Sequence, residues 1–137
     1  MVDAVTVEDI YSGQRRKVRH ITNISDGTGE SAVTKIDIST YTFGGQAPDH
    51  SFAPVYTTIE MVDFAIQGFA SVRLLWDHTT DDEIVVLPAG VGTVYFQAIG
   101  GKTDPRSAGG TGDVLLTTNG GASGSTYDIA IYWRGHP

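Results

Sequence analysis

Period-two alternation between residues 58 and 99 is what rules most folds out for this chain. In the run from Phe69 to Trp76, Ala70, Val72, Leu74 and Trp76 fall on one face, and Ser71 and Arg73 fall on the other. That is the pattern of a strand with one face buried. In the preceding segment, Thr58 to Gln67, Val62, Phe64 and Ile66 share a face. After it, Asp77–Asp82 reads as a polar turn and Glu83–Leu87 as a short β-branched strand stopped by Pro88-Ala89-Gly90. Thr93–Ile99 reads as a further strand.

The flanking regions extend the same pattern. Residues 2–10 suit a first strand or an extended arm, so 1–14 is set apart as an N-terminal arm or first strand. Lys17–Ile24 and Ala32–Thr42 read as strands joined across the Asp26-Gly27-Thr28-Gly29 turn, which predicts a hairpin between them. Phe43–Pro54, with two Gly and two Pro, reads as a loop crossing between sheets. Gly100–Gly112 is the longest irregular stretch, of a length that is often functional. Asp113–Thr118 is a strand, Asn119–Ser125 a glycine-rich hairpin loop, and Tyr127–Arg134 a strand with Tyr127, Ile129, Ile131 and Trp133 on one face. The expected fold is a single all-β domain over 1–137: an antiparallel β-sandwich, jelly-roll-like or Greek-key, of about eight strands. Trp76 and Trp133, on apolar faces, are expected in its core.

Composition narrows the function. With no cysteine there is neither a disulfide framework nor a thiolate metal site. Formal net charge is −7, and residues 21–137 carry five basic against thirteen acidic side chains. Such a body argues against nucleic acid as a partner, because phosphate binding needs clustered positive charge. No apolar stretch approaches the ~20 residues of a membrane-spanning helix, and the first residues do not read as a signal peptide. No membrane association is expected.

Catalytic and metal signatures are missing from the spacing. His20, His50, His78 and His136 form no i, i+2 or i, i+4 pair. Asp77–Glu83 lacks the glycine and closing glutamate of an EF-hand and reads as a solvated turn. Gly109–Gly112 and Gly120–Gly124 lack the Lys-Ser/Thr of a phosphate loop, and no Gly-x-Ser-x-Gly occurs. No catalytic residue, cofactor or metal is assigned, and the chain is read as a non-enzyme.

Four stretches together resemble a family of small virion structural proteins of tailed bacteriophages. They are Asn23–Glu30, Ser71–Asp77, Asp81–Pro88 and Thr103–Thr118, in the expected order along most of the chain. The resemblance is to a pattern and carries over no functional residue. It implies a particle component assembled in the host cytoplasm, and first of all a capsid cement (decoration) protein on the virion surface. Such a protein bridges major capsid protein subunits and associates with itself as a homotrimer or other homo-oligomer. A tail, baseplate or head–tail junction protein is the alternative, and a small carbohydrate-binding module the second. On this reading the parts expected to reach a partner are the segment Val2–Gln14; the basic cluster Arg15, Arg16, Lys17 and Arg19; the loop aromatics Phe43 and Phe52; and the long loop Gly100–Gly112, with its Lys102, Asp104, Pro105 and Arg106.

Overall fold

A computed structural model describes residues 4–12, 16–41, 54–106 and 108–136. Phe43, Phe52 and Arg15 therefore lie outside the described residues. The strands are β1 (Ala4–Ser12), β2 (Arg16–Asp26), β3 (Val33–Ile36), β4 (Tyr56–Trp76), β5 (Asp82–Tyr95), β6 (Lys102–Thr103), β7 (Val114–Asn119) and β8 (Ser123–His136). These strands pair antiparallel in the order β1-β2-β8-β4-β7-β3, with β5 and β6 on the other edge of β4. The chain is all-β, as its alternation predicts: one nearly closed sheet whose two halves share a core.

β4 organises the sheet. Its first part, 56–67, pairs with β8 and its last part, 71–76, with β7. Between them the β4–β5 ladder breaks from Ile66 to Ser71, and Gly68 takes φ +88°. The sequence reading of two separate strands here is corrected: the chain runs through and turns a corner within one strand. Glycine is required at the corner, because a Cβ on Gly68 would sit 2.5 Å from Ser125 Oγ. Ile21, Phe64, Ile129, Ile131 and Trp133 from one half join Ile36, Val72, Leu74, Trp76 and Leu116 from the other in a single buried cluster.

Four further expectations change. The predicted hairpin of 17–24 with 32–42 does not form: β2 pairs with β1 and β8, and β3 pairs with β7. The segment after Gly29 is drawn across to β7, where Thr118 N–H donates to Glu30 O and Glu30 N–H to Thr118 Oγ1. Asn119–Ser125 is not a hairpin loop either, because β7 and β8 occupy successive lengths of the same β4 edge. Pro88-Ala89-Gly90 does not stop its strand. β5 pairs only with β4 among the described residues, and an edge strand tolerates proline because one row of its N–H groups is unused. The predicted strand Thr93–Ile99 ends at Tyr95 and closes in a 3-10 turn at Gln97–Ile99.

Candidate functional site

The long loop is stitched to the β4–β5 turn. Asp77 N–H donates to Asp113 O, Thr111 N–H to Asp77 O and Thr79 N–H to Ala108 O. Inside this junction the His78 side chain has no exposed surface. Its Nδ1 lies 2.5 Å from Asp82 Oδ2 and its Nε2 2.6 Å from Asp104 Oδ1. Carboxylates only accept, so the imidazole satisfies both when it donates from both nitrogens, as imidazolium. Burial pulls its pKa down, the hydrogen bonds to Asp104 and Asp82 push it up, and the net direction is up. With both nitrogens engaged and the side chain fully enclosed, this ring is a clamp between turn and loop.

That clamp places the expected loop residues. Asp104, expected at a contact surface, is only 3% exposed and also accepts the Arg106 N–H at 2.8 Å. Its carboxylate is inside because His78 is. Lys102 Nζ donates to Ile84 O at 2.5 Å and lies 5.8 Å from the Phe96 ring centre. Pro105 and Arg106 are exposed. The Arg106 guanidinium sits 4.6 Å over the Tyr56 ring, which stacks on His136 at 4.5 Å. Beside them is a cleft of about 250 Å³ lined by Val55, Tyr56, Asp104, Arg106, Gly109 and Gly110.

Strand alternation splits the basic cluster. Arg16 is exposed and pairs with Glu60 at 3.3 Å. Lys17 is buried, with Nζ 5.3 Å from the Tyr41 ring centre, and burial lowers its pKa against the raising effect of Asp9. Arg19 bonds Asp9 (3.2 Å), the Tyr41 hydroxyl (2.9 Å) and Lys35 O (3.1 Å). Lys17 and Arg19, expected on a contact surface, instead tie β2 to the segment after β3, since lysine and arginine go inside where a partner awaits them. A cleft of about 400 Å³ between Arg16, Lys17, Glu60, Gln97 and Trp133 marks this end of the sheet. The two sets of expected residues share that end: Lys17, Trp133, Ile59 and Lys102 are successive partners across four strands.

Among the expected contact residues none lies on β5, yet that strand carries the most exposed apolar surface. Val91, Tyr95 and, just beyond the strand, Ile99 are 86%, 65% and 74% exposed, the highest values for large apolar side chains among the described residues. No charged side chain occurs from Ile84 to Gly101. That gap between Glu83 and Lys102 is the signal the sequence offers for it. A groove of about 280 Å³ runs alongside, lined by Asp63, Ala65, Val91, Thr93, Asp128 and Ala130. At its far side His20 bridges Asp128 (2.6 Å) and Glu8 (3.4 Å), chiefly the Asp128 bond raising its pKa.

Among the described residues no group of three or more His, Asp or Glu is arranged to hold a metal ion. No helix among them is long and apolar enough to cross a membrane.

No family model matches the chain, and no curated protein does. Two solved structures are similar in outline. One is a candidate mannose-6-phosphate isomerase from Ralstonia eutropha JMP134, at 10% identity and TM-score 0.34, covering 97% of this chain and 85% of that one. The other is a family 29 carbohydrate-binding module from Piromyces equi, at 8% identity and TM-score 0.33, covering 98% of this chain and 93% of that one. At these scores neither likeness carries a functional argument.

Proposed function

We propose that this chain is a non-enzymatic structural component of a tailed-bacteriophage particle, a capsid cement protein that bridges major capsid protein subunits at the head surface. The observation that carries the assembly reading is the β5 edge: Val91, Tyr95 and Ile99 stand exposed on a stretch without charge, in a chain of net charge −7. Freely diffusing proteins protect such edges with charge, bulges or covering segments, whereas a protein that works in an assembly leaves them for a neighbour. The phage assignment draws on the resemblance of Asn23–Glu30, Ser71–Asp77, Asp81–Pro88 and Thr103–Thr118. A nearly closed sheet around one core suits a protein repeated in many copies, where linked weak contacts add up to firm attachment.

Immunogold labelling of intact particles with an antibody raised to this chain tests the proposal. Gold spread over the heads is the expected result. Gold confined to tail or neck would move the protein to a tail, baseplate or junction role, and particles free of label after mild denaturation would overturn the virion reading.

A further inference from the structure

The β5 edge has a symmetry of its own. Phe96 N–H donates to Glu60 O at 2.9 Å. The register is unbroken from Met61↔Tyr95 to Ile66↔Gly90. In an antiparallel ladder, residues alternate between bonding one neighbour and facing the other way. Gly92 and Val94 therefore bond β4, and the N–H and C=O groups of Val91, Thr93 and Tyr95 point away from it. Among the described residues these groups meet no backbone partner. The same three residues carry their side chains on the outer face, beside Ala65, Asp63 and Met61.

We propose that β5 is the edge along which a second copy of this chain adds, antiparallel, about a two-fold axis at Thr93. In that register Thr93 lies opposite Thr93 of the second copy, and Val91 opposite Tyr95, twice by symmetry. Every outward backbone group from Val91 to Tyr95 then finds a partner. The two exposed apolar side chains cover each other as aromatic–β-branched pairs, a favourable cross-strand combination. This is the isologous contact of a C2 dimer, one patch meeting itself.

Charge favours a second copy here over any other face. Two chains of net charge −7 repel, and the uncharged run Ile84–Gly101 is where they approach with least repulsion. The nearest acidic group, Asp63, accepts the Thr93 hydroxyl on β4. Its counterpart would lie three strand spacings away, about 14 Å, beyond a screening length of about 8 Å at physiological salt. The strand contact itself is short, so the dimer is weak in solution and gains its effect where copies are held together.

This dimer names the partner of the edge on which the assembly reading rests, yet the two fail separately. Sedimentation equilibrium of the purified chain should show the mass rising with concentration from 14.6 kDa toward twice that value. Val91→Glu should hold it at the monomer mass with an unchanged circular dichroism spectrum. The chain has no cysteine, so Thr93→Cys reports the axis directly. Paired residues in such a ladder have Cα atoms about 5.5 Å apart, within disulfide range. Mild oxidation should convert most of this variant to a covalent dimer, while Thr117→Cys on the other half of the sheet should stay monomeric. A chain that remains monomeric at about millimolar concentration would overturn the proposal, as would a dimer that Val91→Glu leaves intact or that Thr93→Cys fails to trap. Those results would leave the edge to a partner other than a second copy. Unlabelled particles beside a trapped dimer would reject the virion reading and keep this one.

Discussion

A buried histidine with a carboxylate on each nitrogen responds to pH in one direction. Burial alone would lower the pKa of His78, but the bonds to Asp104 and Asp82 together outweigh it and the folded value is raised. The stabilising effect is therefore fully present below the unfolded value of about 6.5 and is lost as pH rises through the higher folded value. Urea unfolding of the wild type against His78→Gln should show a gap of about 2–4 kcal/mol near pH 6, shrinking toward pH 9. An equal gap at both pH values would mean that the ring is held neutral. His136 works in the opposite sense: burial, then Arg134, lowers its pKa, so its contribution is present above about pH 6.5 and lost on acidification. None of this is legible in the sequence. The Asp-rich turn around His78 is visible there, but Asp104 lies 26 residues on, and nothing in the spacing joins them.

At the scale of the element, the bend in β4 is what lets one strand serve both halves of the sheet. Gly68 (φ +88°) and Gly121 stand at this corner, and a Cβ on Gly121 would collide with the Phe69 ring. Gly68→Ala should cost about 2–4 kcal/mol, combining a left-handed backbone with the clash on Ser125. Gly124 has φ +90°, and a Cβ there would meet nothing within 4 Å. Its alanine variant should cost only the backbone part, about 1 kcal/mol. Denaturation midpoints of the two variants separate strain from contact, and equal losses would show that the corner is not tight. Strand positions are readable because alternation needs no knowledge of partners. The hairpin between 17–24 and 32–42 fails because a glycine-rich turn favours reversal without saying whether the next strand returns to the same neighbour. Here Glu30 ties the crossing to both halves, bonded to Asn23 (3.1 Å) and Tyr127 (2.5 Å) on the half it leaves and to Lys35 (2.6 Å) on the half it enters.

For the whole molecule, charge and edge act together. If uncharged β5 edges join two acidic chains, self-association should tighten about 3- to 10-fold from low salt to about 0.5 M NaCl, as screening removes repulsion without weakening the contact. Sedimentation at the two salt levels measures this, and weaker association in salt would point to a contact made by Arg16 and acidic groups instead. The amino-acid order by itself determined the fold class, the absence of cysteine chemistry, the acidic balance of charge and the inward placement of Trp76 and Trp133, which are 1% and 0% exposed. These follow from composition and from the fixed alternation of Cβ atoms along a strand, which holds whatever the strand pairs with. Only the tertiary structure decided which strands are neighbours, that Lys17, His78 and Asp104 lie inside, and that among the described residues β5 is left at an edge. The physical reason is that backbone N–H and C=O groups are alike in every residue but proline, so a strand's edge does not encode its partner. A charged side chain is buried or exposed according to what a distant segment brings to meet it.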